Sequence, residues 1–542
     1  MLVRWCVAYS ETVQGITRPA GSVVILPHDP EYMLDQLNRL IEWRATLKNG
    51  EVVRANAPRQ VASILLSRHG DWRAQPLIAA INAPTLRPDG SLLDREGYDA
   101  RTGLLFVNAG GEAFPSIPAR PTRPEAFAAL ANLKEVIGEF PFAAEHDRSA
   151  ALSAIITATV RHALKAAPMH VLSAPRMASG KSLLADVVAL VATGRTATVM
   201  SFTSDPEEMR KRVLAVLLAG DGVVSLDNIE SVLASSVLCT VLTQESFSDR
   251  LLGANKRATV PTLTFWLATG NNLQVAGDLT TRIVPCNLDP QVERPEEREF
   301  ERNLYDWIPR NRARLVMAIL TLLRAYVAAG LPKQNLKNFA RFEDWSRLVR
   351  SALVWLGEPD PLLGLERVED ADPDRIRLRS LLLGWYAAFQ GRPVTSKAAM
   401  ELAYPDRVRM ARIGEDSTPR ASSILAEVLD ECFAHRKGGV TSSQIGYFLR
   451  KYAGRIEVGA RFGRGGSSQR RELWQVEVLD SERFHRELYA FTTSGENPHL
   501  SSLSSLPAPS APAPSVPEAA DCANQEPVTE DLEAVEVEWE VF

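Results

Sequence analysis

From residue 125 to about residue 324 the apolar positions follow two rhythms. Short, almost unbroken apolar runs stand at 169–173 (MHVLS), 197–202, 223–226 (VVSL) and 262–269. Between them, at 183–192 and 206–218, apolar residues return every three or four positions. Unbroken short runs fit strands covered on both faces, and the three-to-four spacing fits the helices that cover them. The alternation predicts an α/β domain on a largely parallel sheet over 149–330, entered through a linker and helix at 116–148. Four prolines, Pro115, Pro118, Pro121 and Pro124, mark the connector ahead of it.

Residues 1–115 read as a smaller α+β domain with helical patterns at 32–47 and 58–69. Within 81–106 apolar arms flank a turn in which Pro88 and Gly90 suit the second and fourth positions of type I. Downstream, 331–394 reads as a helical region with apolar-faced helices at 348–356 and 376–389. A second small module is expected at 395–490. From 491 the chain turns Ser/Pro-rich and then acidic, which predicts a disordered tail.

The 542 residues, 45% hydrophobic and 23% charged, are an ordinary globular mixture of roughly three to four domains, and exclude a collagen, a rod or wholesale disorder. No apolar run approaches the ~20 residues of a membrane span, and Arg4 breaks the N-terminal apolar stretch with no cleavage pattern after it. Cys6, Cys239, Cys286, Cys432 and Cys522 are scattered without a CxxC pair, which points to a reducing compartment rather than a disulfide framework or zinc site. A soluble, cytoplasmic protein without membrane contact is expected. The net charge of −5 conceals an asymmetry: residues 495–542 hold ten Asp/Glu and no Lys/Arg, leaving the remainder at +5. Such a body can meet polyanions, and its tail cannot.

The strongest chemistry lies in MHVLSAPRMASGKS, 169–182. A strand, a short loop, Gly180-Lys181-Ser182 and a helix are the context of a phosphate-binding P-loop. Residues Pro175, Arg176, Met177, Ala178, Ser179 and Gly180 would cradle phosphates with backbone N–H groups at a helix N-terminus. Lys181 would reach the β- and γ-phosphates of ATP, and the Ser182 hydroxyl would ligate Mg²⁺. The loop departs from GxxxxGK[ST] at its first position, which is Pro175. An ordinary helix N-cap is the other reading of GKS.

The strand 223–226 ends in Asp227, a Walker B position for Mg²⁺. The carboxylate that usually follows is here Asn228, and Glu230 is the nearest substitute. Glu230 also reads as a first-turn acid of the next helix. The strand 262–269 leads into Gly270-Asn271-Asn272. A polar residue at that tip is what sensor 1 of AAA+ ATPases and motif C of superfamily 3 helicases supply; Gly-Asn is equally good turn chemistry. Arg282, in GDLTTRIV at the start of another strand, reads either as an arginine finger for a neighbouring subunit's nucleotide or as a surface residue.

Two basic regions suggest the substrate. SDRLLGANKRATVP (248–261) reads as a hairpin with Lys256 and Arg257 near its tip, either a pore hairpin tracking phosphates or a solvated turn. At 440–478 a helix capped by Thr441 or Ser442, a strand at 455–458, the loop GARFGRGGSSQRR and a strand at 472–478 have the shape of a winged helix. Arg450, Lys451, Arg455, Arg461, Arg464, Arg470 and Arg471 face one acid there, Glu457, which suits phosphate contact. A winged helix used for protein contact is the alternative.

Taken in order, APTLRPDGSLLDREGYDARTGLL, SAPRMASGKSLLADVVALVATGR, VVSLDNIE, SDRLLGANK, FWLATGNNLQVAGDLTTRIVPCNLDPQVERPEER and SSQIGYFLRKYAGRI resemble primase–helicase replication proteins of prophages and integrative elements, over roughly residues 40–480. The resemblance implies a P-loop ATPase core of the AAA+ or superfamily 3 type, a hexameric ring and movement on single-stranded or forked DNA. No cysteine cluster of a primase zinc site accompanies it, and primase activity is not expected. Two other functions fit the same residues. One is an ATP-binding initiator or scaffold with weak hydrolysis, suggested by Pro175 and Asn228; the other is an AAA+ protein remodeller. The acidic end EVEWEVF resembles the tips by which single-strand binding proteins recruit replication partners, and reads otherwise as a solubilising tail.

Overall fold

Five short strands form one parallel sheet: β1 (Met169–Ala174), β2 (Thr198–Met200), β3 (Val223–Leu226), β4 (Phe265–Asn271) and β5 (Ile283–Asn287). The computed structural model describes residues 3–7, 12–13, 16–17, 23–68, 74–250, 257–298, 301–405, 424–433, 439–468 and 471–493. The sheet order is β2-β3-β4-β1-β5, with every neighbouring pair parallel. The fourth strand is therefore inserted between the first and the third, and all five C-terminal ends lie at one edge. Ala174 stands beside Asn271, and Leu226 beside Ala268. Strands β3 and β4 are buried on both faces up to Gly270, which is why they read as unbroken apolar runs.

The helix Lys181–Thr193 is apolar nearly all round because it packs between the sheet and the long helix Leu304–Ala328. Its C-terminal end is closed by Gly194, whose N–H donates to the Leu190 carbonyl at 2.9 Å. A buried arginine from the long helix completes the closure. Arg312 donates from Nε to the Val191 carbonyl and from Nη2 to the Ala192 carbonyl, both at 3.1 Å. The same guanidinium pairs with Glu112 at 2.6 Å and reaches Asn82 Oδ1 at 3.2 Å. Residues of the upstream segment are thus tied to the back of this helix, and Ala83 and Leu86 belong to the same hydrophobic core.

That core extends from Ala83 to Leu362, and a second one gathers residues from Leu378 to Phe491. The packing boundary falls between them, inside the segment read as a helical region at 331–394. The second body contains the helices Pro373–Phe389, Ser396–Ala403, Ile424–Phe433, Ser442–Tyr452 and Ser481–Thr493. Its antiparallel sheet runs in the order Val394–Thr395, Arg471–Val478, Ala460–Ser468.

Four sequence expectations are corrected. The helical pattern at 32–47 ends at Leu40, and Trp43–Thr46 is a strand paired with Val52–Ala55. No strand forms at 455–458, where only Glu457 bridges to Ala460. The Gly/Arg-rich stretch is not a loop: Ala460–Ser468 is itself a strand, because Arg461, Phe462, Gly463 and Arg464 pair in register with Glu477, Val476, Gln475 and Trp474. The last helix continues to Thr493, past the start expected for the tail. The tail from 494, Lys256 and Arg470 lie outside the described residues. Among the described residues no helix is long and apolar enough to cross a membrane.

Arg312→Leu leaves Glu112 without its cation and the Val191 and Ala192 carbonyls without their donor. It should destabilise the larger body by about 3 kcal/mol, the cost of breaking a buried ion pair. Urea unfolding followed by tryptophan fluorescence measures this, and Arg312→Lys should recover only part of the loss because a lysine cannot replace the fork.

Candidate nucleotide site

At the C-terminal edge of the sheet the loop after β1 turns into the helix that starts at Lys181. Two residues of that loop hold left-handed backbone, Ala178 at φ 56° and Gly180 at φ 93°. Gly180 is the natural choice there, and a Cβ would also meet the Phe140 ring at 3.4 Å. Ala178 takes the same region with a side chain, at a cost of about 1–2 kcal/mol. The loop is pinned from inside and outside: Ser179 Oγ donates to the Arg176 carbonyl at 2.8 Å, and Arg176 Nη1 donates to the Glu293 carbonyl at 2.7 Å. Pro175, Arg176 and Met177 are exposed along its outer side.

Lys181 is buried, and burial pushes the pKa of its ammonium down while the charge of Asp227 pulls it up. Nζ donates to the Arg176 carbonyl and to Asn271 Oδ1, each at 2.8 Å. Ser182 Oγ donates to Asp227 Oδ1 at 3.1 Å. The inserted strand thus brings Asn271 to the lysine, and the strand beyond it brings Asp227 to the serine. A hydroxyl and a carboxylate converging in this way fit Mg²⁺, which takes one or two protein oxygens and completes its shell with water and phosphate.

Thr269 is a member of the site that reading the sequence did not find. Its Oγ1 donates to Asp227 Oδ1 at 2.5 Å and accepts the Asn228 N–H at 3.0 Å. It lies two residues before Asn271 on the same strand, so the two side chains share a face. That spacing was the available signal. Between them, Gly270 allows the 227–229 segment to approach: a Cβ at this position would stand 2.6 Å from the Ile229 carbonyl oxygen.

The remaining expected residues are placed as follows. Asn272 is exposed at φ 45°, and its N–H donates to the Ala174 carbonyl at 2.9 Å. Of the two asparagines, Asn271 faces the lysine. Asn228, at φ 50°, donates through Nδ2 to Glu230 Oε1 at 3.3 Å. Glu230 is exposed in a loop and is not a first-turn acid, since the next helix begins at Ser236. Arg282 is the last residue of a 3₁₀ turn, Gly277–Arg282, directly before β5 rather than within a strand. It sits at the opposite end of the sheet from Lys181 in the same chain and folds back onto the Asp278 carbonyl and Thr281 Oγ1. Arg257 starts the second arm of an antiparallel hairpin, Ser246–Arg250 with Arg257–Pro261, and pairs directly across from Arg250.

In the second body most of the basic residues have found carboxylates, several from outside the 450–471 window. Arg450 and Arg464 approach Glu472 at 3.5 and 3.8 Å, Lys451 approaches Asp374 at 3.3 Å, and Arg461 bonds Glu477 at 2.8 Å. Arg455 stands 3.5 Å from Glu457 and 4.0 Å from Asp372. Arg471 is exposed at the start of its strand.

No family model matches the chain, and no curated protein does. Among solved structures it is similar to the apo C-terminal region of NrS-1, at 13% identity over 83% of this chain and 100% of that one, with a TM-score of 0.27. It is also similar to the SCCmec type IV Cch active helicase, at 14% identity over 90% and 94% of the two chains, with a TM-score of 0.31. Likeness of this degree bears on neither activity nor mechanism.

Thr269→Val keeps the shape of the strand and removes the hydroxyl that fixes Asp227. Loss of such a supporting bond should weaken Mg²⁺ binding in the presence of nucleotide by about 10- to 100-fold, read from a Mg²⁺ titration, with a stability loss of about 1–3 kcal/mol from the Asn228 N–H left without its acceptor.

Proposed function

We propose that this chain is an ATP-hydrolysing motor of the helicase type that works on DNA. The observation that carries the reading is the pair of contacts at the sheet edge, Lys181 to Asn271 and Ser182 to Asp227. A lysine, a hydroxyl, a carboxylate and a strand-tip amide from three segments meet at a helix N-terminus, whose N–H groups suit phosphate.

Lys181 would exchange the Arg176 carbonyl and Asn271 for phosphate oxygens. Asn271, released from the lysine, is then positioned to contact the γ-phosphate or the attacking water. Ser182 and Asp227 would hold Mg²⁺, which supplies charge neutralisation on the phosphates. Glu230, bonded by Asn228, would be the base that accepts the water's proton. Arg282 cannot serve the nucleotide of its own chain from the far end of the sheet, so its role as a finger requires a neighbour in a ring, for which a hexamer is the proposed form.

The hairpin with Arg250 and Arg257 across from each other is read as a grip on the DNA backbone, to which Lys256 would contribute. The order of the second body, a helix, a short strand, helices and a long hairpin whose second arm pairs with the short strand, supports a winged helix. Its DNA contacts would come from Arg450, Lys451, Arg455, Arg461, Arg464, Arg470 and Arg471. Most of these must exchange a carboxylate for a phosphate, which moderates affinity and makes it salt-sensitive. The acidic tail is proposed as a contact for a replication partner. A prophage or mobile-element setting rests on the resemblance in sequence alone.

The weak-hydrolysis alternative has one observation in its favour: Asn228 occupies the place of the second carboxylate and holds the side chain of Glu230. Hydrolysis by wild type and Lys181→Ala, with and without single-stranded DNA at fixed salt, separates the readings. DNA-stimulated hydrolysis that is lost in the variant is expected. Hydrolysis indifferent to DNA points to a protein remodeller, and ATP binding without turnover points to an initiator or scaffold. For the second body, Arg464→Ala and Arg471→Ala should each flatten the dependence of log affinity on log salt by about 0.7–0.9, measured by fluorescence anisotropy, if each meets one phosphate.

A further inference from the structure

The nucleotide site does not use Asp372, yet this carboxylate has no exposed surface. It follows the helix Leu365–Asp370 and caps the helix Pro373–Phe389, accepting the Asp374 N–H on Oδ1 at 2.9 Å. An N-cap needs only one oxygen and is ordinarily solvated. Here the second oxygen, Oδ2, accepts the N–H of Gly277 at 3.3 Å, ninety-five residues earlier in the chain. Gly277 is the first residue of the 3₁₀ turn that ends at Arg282. Arg455 of the second body approaches the same oxygen at 4.0 Å.

Three structures therefore meet on one side chain: the first turn of a helix in the second core, the cation at the base of the hairpin Ala460–Ser468 and Arg471–Val478, and the turn carrying Arg282. The neighbourhood is stiff. Glu457 is held by Arg375 at 2.9 Å and Arg379 at 3.3 Å, and Lys451 and Tyr452 both bond Asp374. The turn is seated by Leu279 and Thr280, both buried, while its first residue is open: a Cβ on Gly277, at φ 67°, would meet nothing within 4 Å. Its N-terminal N–H is held by Asp372, and the Arg282 side chain at its C-terminal end is half-buried, bonded within the turn to the Asp278 carbonyl and Thr281 Oγ1.

We propose that Asp372 is a positioning residue for ATP hydrolysis: it fixes the Gly277–Arg282 turn to the second body and so sets where Arg282 is presented to a neighbouring subunit. The proposal rests on the reading of the site as an ATPase with Arg282 acting across the subunit boundary. It adds to that reading a physical path from the second body to the reacting phosphate, acting through backbone rather than by contact with nucleotide.

The test is a double-mutant cycle on the full chain, comparing wild type, Asp372→Ser, Arg282→Ala and the double variant in steady-state hydrolysis. Serine retains an oxygen for the cap but has no second one for Gly277. Asp372→Ser should lower kcat by on the order of tenfold or more, the scale of a misplaced catalytic group, while KM for ATP changes less than about twofold because Lys181, Ser182 and Asp227 of the same chain are untouched. In the Arg282→Ala background the same substitution should add nothing. A merely structural role would lower kcat by the same factor in both backgrounds, and that result overturns the proposal, as does an unchanged kcat in Asp372→Ser. If Arg282→Ala itself has wild-type kcat, the reading of Arg282 falls and the proposal with it. If Arg282→Ala is impaired and Asp372→Ser is not, the proposal alone falls. Should Asp372→Ser fail to fold, Asp372→Asn serves in its place, because its single oxygen can satisfy the cap or the turn but not both.

Discussion

An ammonium taken out of water must find acceptors or lose its proton, and at Lys181 that requirement organises the edge of the sheet. Burial lowers the pKa of the group, and its charge is kept by the Arg176 carbonyl, Asn271 Oδ1 and the field of Asp227. The loop before the lysine can offer one of these acceptors on its own. Asn271 is within reach only because β4 lies between β1 and β3, which sets Asn271 beside Ala174 in register. The same insertion gives Asp227 its neighbour Thr269, since the threonine lies two residues back along one face of β4. Sheet order, loop conformation and site chemistry are consequently one constraint. A strand order that kept β1 next to β3 would leave the lysine without its amide.

The loop achieves this with few of the glycines that usually make such turns. Pro175 has no N–H to offer and a fixed φ, and Ala178 pays for a left-handed backbone that glycine adopts freely. The compensation visible in the structure is fixation. Ser179 closes back on the Arg176 carbonyl, and the Arg176 side chain reaches Glu293 in the segment after β5. A loop held by side chains in this way loses less entropy when phosphate arrives than a glycine-rich one, at the cost of strain stored beforehand.

Much of the core could be read from the chain because its signals are local. Apolar runs marked β1 and β3 to within a residue, the GKS triplet marked the start of its helix, and Asp227 followed directly from the strand before it. What could not be read depends on partners distant in sequence. Thr269 shares a face with Asn271 by its spacing, but its bond to Asp227 follows from the pairing of β4 with β3, which spacing within one strand does not show. The stretch 450–471 looked strongly basic because charge was counted along the chain, whereas Asp372, Asp374, Glu472 and Glu477 arrive from neighbouring elements. Its glycines suggested a loop, yet cross-strand pairing with 474–477 holds them extended. At 43–46 the helical rhythm of the preceding residues continued into a segment that the hairpin with 52–55 claims instead.

The helix Lys181–Thr193 gives these observations a mechanical sense. Its thirteen residues make a rod of about 20 Å, with Lys181 and Ser182 at one end and the buried Arg312 fork at the other. Arg312 also holds Asn82 and Glu112, so the upstream segment grips the back of the element whose front carries the candidate site. A rigid, fully packed helix cannot absorb a displacement along its axis by bending, because both of its faces are covered. Any shift imposed on Lys181 and Ser182 is therefore passed toward Arg312, the long helix and the strands at 79–106 that pack with them. The upstream segment is in this sense part of the body that carries the parallel sheet rather than an appendage to it.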